Sequence, residues 1–142
     1  MDVEMASDVE KTVSDIVDTL SYGHINEFRL ICMRSRNATA NAYARIWNLP
    51  DIWQKALGVS AFYIIEVVSQ HYDPLPQEKK EKVLIHELLH IPKTFSGALR
   101  PHRGKVKINE RTVDELHKIY KERKKQLAFA GAKKLRLAED MF

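Results

Sequence analysis

A run of aromatic and β-branched residues, Ala61-Phe62-Tyr63-Ile64-Ile65-Glu66-Val67-Val68, leads through a proline-rich break into a strongly helix-forming segment, and this succession constrains the fold most. The run suits a pleated, largely buried strand. Asp73-Pro74-Leu75-Pro76 interrupts the chain, with Pro76 well placed for the first turn of a helix from Gln77 to His90. Glu78 and Glu81 fall early in that helix, where its dipole favours acids, and Pro92 marks its end. A strand leading directly into a long helix calls for a mixed architecture rather than an all-helical or all-β one.

The remaining segments extend this pattern. Val9, Val13, Ile16, Val17 and Leu20 recur on one stripe behind a Ser7/Glu10 capping box, which predicts an amphipathic helix broken at Tyr22-Gly23-His24. Phe28 to Arg34 and Tyr43 to Trp47 read as strands, with a loop or short turn at 37–41 between them. Asp51 to Leu57 is a short helix stopped by Gly58. Residues 93–108 form a Gly- and Pro-containing loop, and Asn109 caps a helix through about Gln126 with Val113, Leu116 and Tyr120 inward. The order predicts an α+β fold: a small mixed sheet packed on an N-terminal helix and on the 77–90 helix, with C-terminal helices. The 142 residues fit one domain, expected over 1–126, followed by a basic tail over 127–142 that is helical or frayed.

The 77–90 helix carries His86-Glu87-Leu88-Leu89-His90, an H-E-x-x-H motif. Residues four apart share a helical face, so both imidazoles can reach one metal ion. Glu87 projects beside that site without having to ligate, and from there it can take a proton from a metal-activated water. Val83, Leu84, Ile85, Leu88 and Leu89 supply apolar side chains to bury the other faces.

A catalytic zinc site usually has three protein ligands and an open position. His102 is the first choice for the third, presented after Pro101 on a loop that can fold back under the helix. Glu110, in the first turn of the next helix, is the alternative, with Asp114 as its supporting carboxylate. His24 and His71 are expected to be exposed, and His117 to be solvated on the last helix. Trp47 and Trp53 read as core aromatics, and Cys32 as a small buried hydrophobe.

His86 to Lys93, then Phe95-Ser96-Gly97 and Arg100-Pro101-His102, with Tyr43-Ala44-Arg45-Ile46 and Tyr63-Ile64-Ile65-Glu66-Val67 upstream, resemble a family of small archaeal and phage metallopeptidases. The resemblance runs from about residue 29 to 120 and implies a zincin-like fold, near the SprT-like proteins and the minigluzincins. It implies His102 as third ligand if the SprT-like pattern holds, and Glu110 if the gluzincin pattern does. The metzincin pattern, with a glycine and a third His close behind the second, is absent. The zincin arrangement also implies an edge strand beside the active helix where an extended substrate pairs its backbone; residues 61–68, directly before the helix, are the expected edge.

Charge divides the chain. Residues 100–142 hold 13 of the 23 Lys and Arg but only 6 of the 19 Asp and Glu. The expected function is therefore a zinc-dependent metallopeptidase acting on protein or peptide, with Zn²⁺ held by His86, His90 and His102, and Glu87 as general base. The alternative is a nucleic-acid-binding protein with a structural zinc and a basic C-terminal region that includes Lys118, Lys121, Arg123, Lys124, Lys125, Lys133, Lys134 and Arg136. A single cysteine excludes an internal disulfide or a Cys-based zinc cluster. The start of the chain has no basic segment followed by an apolar one, and no apolar run approaches a membrane span, so a cytoplasmic protein with no membrane partner is expected.

Overall fold

The computed structural model describes residues 2–140; Met1 and the last two residues of the expected tail lie outside them. Its elements in chain order are β1 (Asp2–Met5), α1 (Ser7–Thr19), a 3₁₀ turn (Glu27–Arg29), β2 (Leu30–Arg36), β3 (Ala44–Asn48), α2 (Asp51–Leu57), β4 (Tyr63–Val68), α3 (Ser69–Tyr72), α4 (Gln77–Leu89) and α5 (Glu110–Asp140). The fold is α+β, as expected. Its four strands form one mixed sheet in the order β1-β2-β4-β3. β2 and β4 are parallel, in the register Leu30 to Tyr63 and Cys32 to Ile65, whereas β1 and β3 run antiparallel to their neighbours.

The alternation of β4 sorts its side chains. Tyr63, Ile65 and Val67 are fully buried, in a core shared with Val9, Val13 and Ile16 of α1 and Leu84, Ile85 and Leu88 of α4. Each such side chain contributes about 1.5–3 kcal/mol through its burial. Glu66 points to the other face and is only 3% exposed. There Arg45 Nη2 donates to its Oε2 at 2.9 Å and Trp47 Nε1 to its Oε1 at 2.8 Å, so a charge inside an apolar strand is matched from β3. That geometry places Trp47 on the sheet's outer face, half exposed rather than in the core.

α5 lies against α4 and α1. His117, expected in solvent, is buried, and its Nε2 lies 2.9 Å from Glu81 of α4. Lys82 pairs with Asp114 at 3.1 Å, Tyr120 donates to Asp15, and Arg123 Nη1 donates to the Thr19 carbonyl at 3.1 Å. The Glu81 partner explains why His117 packs inward, whereas Asp114 and Arg123 make their contacts from exposed positions. α5 does not end near Gln126: it continues unbroken to Asp140, exposed from Lys121 to Ala138. Asn109 does cap it, accepting from Thr112 N at 3.0 Å while Asn109 N donates to Thr112 Oγ1.

Two further expectations are corrected, and one strand was not expected at all. Ser7 is the first residue of α1 rather than its cap; Ala6 occupies that position, its N–H bonded to the Cys32 carbonyl of β2 at 3.0 Å. β1, which no periodicity announced, pairs Asp2–Met5 with Met33–Arg36. β4 is not the edge: β2 and β3 flank it, and β3 is left with one free side among the described residues. No described helix is long and apolar enough to cross a membrane.

Candidate metal centre

α4 sets His86 and His90 one turn apart, and the apolar residues between them fix which way the pair faces. Leu84, Ile85, Leu88 and Leu89 are buried, which leaves His86 half-buried on the opposite side. His90 lies just past the helix end, its N–H bonded to the Glu87 carbonyl at 3.1 Å.

The loop after α4 returns to it. Arg100 N donates to the His90 carbonyl at 2.7 Å, and His90 Nδ1 lies 2.6 Å from the Arg100 carbonyl. A carbonyl only accepts, so Nδ1 carries the proton and Nε2 keeps a bare lone pair directed at the cluster. Two residues later His102 arrives beside the helix. The rest of the loop is held by Tyr63, whose hydroxyl accepts from Gly97 N and donates to the Ala98 carbonyl, both at 2.8 Å. Phe95 packs its ring against Tyr63 with centroids 4.9 Å apart, and Asn48 Nδ2 donates to the Gly97 carbonyl at 2.7 Å. Gly97 has φ +96°, and a Cβ there would collide with the Gln54 amide, so only glycine serves.

One ring nitrogen from each of His86, His90 and His102 lies within 4.8 Å of the others, and the three could hold a metal ion. His86 Nε2 stands 3.2 Å from His102 Nε2 and 3.4 Å from His90 Nε2. Two imidazole nitrogens bound tetrahedrally to one ion at zinc–nitrogen distances lie about 3.3 Å apart. The donors therefore fit a small divalent ion in separation and chemistry. Burial pushes His86 down to about 4, helped by charge on His90 and His102. Burial likewise lowers His90, against the opposing bond to the Arg100 carbonyl. These two imidazoles are thus neutral at neutral pH, the form that ligates.

Glu87 is 8% exposed, and burial raises its carboxyl to about 8. It borders an open groove of about 480 Å³ with His86, Val83, Val113, Tyr43 and Glu110. Glu110 and Asp114 therefore face the same groove as Glu87, but neither joins the three converging nitrogens. His24 and His71 are half-buried and also stand outside the group. Sequence reasoning missed Tyr63, Asn48 and the Arg100 carbonyl as supports, because a backbone acceptor leaves no signature in the residue type.

A family model described as Putative phage metallopeptidase matches residues 1–138. The chain belongs to that family. No curated protein and no solved structure matches it. That family description implies a metal ion, and the three imidazoles fit one.

Tyr63 gives a first prediction. Tyr63→Phe leaves the ring in place but strips Gly97 N and the Ala98 carbonyl of their partner, loosening the loop that presents His102. If the three imidazoles hold zinc, its affinity, measured by competition with a chromogenic chelator, should fall about 10–100-fold, the range for loss of a group that supports a ligand. An unchanged affinity would show that the loop needs no such clamp.

Proposed function

We propose that this chain is a zinc-dependent peptidase with a zincin-like centre: His86, His90 and His102 hold the ion, and Glu87 is the general base. On this reading the catalytic domain spans 1–126, and residues 127–142 form a basic extension. The observation that carries it is the convergence of three imidazole nitrogens beside a buried carboxylate on one helix. When bound, zinc supplies Lewis-acid polarisation of the scissile carbonyl and acidifies water. Glu87 takes the water's proton and passes it to the leaving amine.

The substrate is a polypeptide in extended form. β3 has a free edge next to α4, so a chain added there gains main-chain hydrogen bonds while its side chains reach the groove. This gives β3 the role that the sequence suggested for 61–68.

Among the described residues three donors converge rather than four, which favours a catalytic ion over the structural zinc of the nucleic-acid reading. Part of the basic region is also engaged within the fold, Lys121 with Glu78 and Lys124 with Asp15. The test is hydrolysis of fluorogenic casein by the zinc-loaded protein. Chelation should abolish it and zinc restore it; no hydrolysis by a preparation carrying about one zinc per chain would sink the reading.

A further inference from the structure

α2 is turned inside out. Gln54 faces the protein, its Nε2 donating to the Leu49 carbonyl at 2.9 Å, while Ile52, Trp53 and Leu57 are 75%, 56% and 60% exposed. On a helical wheel Ile52, Trp53, Ala56 and Leu57 make one continuous apolar face, bordered by the ion pair of Asp51 and Lys55 at 2.9 Å. Burying such a face is what normally holds a short helix in place. Here the polar Gln54 does so, and the apolar residues stay in water.

The position of α2 identifies what this face meets. The helix begins at Asp51, with only Leu49 and Pro50 between it and Asn48, the last residue of β3, and so stands at one end of the edge left free among the described residues. The groove beside Glu87 begins at the other end, at Ala44 and Tyr43. α2 also adjoins the loop that carries His102, because Gln54 closes over Gly97 and Asn48 bonds the Gly97 carbonyl. A strand rises about 3.3 Å per residue, so a chain lying along β3 passes from the groove to α2 in about four or five residues.

We propose that the outward face of α2 is a docking site for an aromatic or branched aliphatic side chain of the polypeptide substrate, several residues from the scissile bond. This rests on the peptidase reading and deepens it: the substrate class becomes unfolded polypeptide with an apolar anchor. A second copy of the chain is disfavoured, since a seven-residue helix falls well short of the ~800 Å² per partner that a stable pair buries. A membrane surface is disfavoured because Lys55, the only cation on the helix, is already paired with Asp51.

The experiment uses the full-length, zinc-loaded protein with Trp53→Ala and Leu57→Ala combined; both side chains are exposed, so the fold is kept. On the non-cleaving Glu87→Gln background, fluorescein-labelled casein should bind about tenfold more weakly when the two are removed. In the active protein the KM for casein should rise with kcat unchanged, and cleavage of a dipeptide amide too short to reach α2 should not change. Unaltered casein affinity would overturn the proposal. So would a wild-type dimer in sedimentation that the double substitution splits, or binding to phosphatidylcholine and phosphatidylglycerol vesicles that it removes. If casein binds through α2 but the zinc-loaded wild type cleaves nothing, the docking face stands and the peptidase reading falls.

Discussion

Glu87→Gln is expected to remove about 10²–10⁴-fold of peptidase activity while leaving zinc in place and making the metal-free protein more stable. The two effects share one cause. Glu87 is buried at the wall of the groove, and burial alone raises its carboxyl from an ordinary 4.5 to about 8. Below pH 4.5 the folded and unfolded chains both hold the proton, and the group is neutral to stability. Between pH 4.5 and 8 the unfolded chain releases it first, so folding is penalised increasingly as pH rises, and above about 8 the whole penalty is present. Gln keeps the shape without the charge and should return several kcal/mol at pH 8.5, seen as a clear rise in Tm that is much smaller at pH 5. His86 acts in the opposite window. Its pKa is lowered from 6.5 to about 4, so the metal-free fold loses stability as pH falls between those values, and Glu87→Gln leaves that limb untouched. Thermal melts of chelator-stripped wild type and variant at pH 5 and 8.5 separate the two. An equal gain at both pH values would mean that the glutamine improves packing rather than relieving a charge. Retained hydrolysis would remove Glu87 from the chemistry.

Why this fold should keep a destabilising carboxylate follows from its position. A cation between the imidazoles favours the charged form of a carboxylate beside it, so loading the ion relieves the cost that the empty fold bears. On the proposed function, stability and activity would be coupled through the ion at Glu87.

What the sequence made legible was whatever depends on local pattern. The α1 stripe, the apolar run of β4, the proline bounds of α4, the Asn109 cap and the H-E-x-x-H face all follow from spacing and propensity, and each lies where expected. What it hid depends on partners distant in the chain. β1 consists of four exposed residues that become a strand only because β2 offers them an edge. His117 is inward because Glu81 of α4 meets it, and Trp47 is outward because Glu66 needs its indole N–H. Trp53 looked like core because aromatic residues usually are. The edge was misassigned for a related reason: β4 precedes α4 in sequence, but the edge belongs to whichever strand is left unpaired, and only topology decides that. His102 was legible as a candidate, whereas the clamp that delivers it, Tyr63 to Gly97 and Ala98, was not.

His102→Ala should empty the site while Glu110→Ala should leave it filled. With two imidazoles remaining of three, zinc affinity should fall by more than the ~10–100-fold that follows loss of an outer-shell support. His86→Ala should do the same. The comparison is clean because of where the residues sit. His102 is exposed on a loop already fixed by Arg100, Tyr63 and Asn48, so its removal leaves the metal-free fold intact; His90 is buried and bonded to the Arg100 carbonyl, and its loss would disturb the loop as well. Glu110 lines the groove from α5, close enough to touch substrate but outside the converging nitrogens. Elemental analysis of the purified variants, with metal-free melting curves as the folding control, reads the result directly. Zinc lost with Glu110→Ala and kept with His102→Ala would move the third ligand to α5, and the 3.2 Å approach of His86 to His102 would then be a contact between side chains that share no ion.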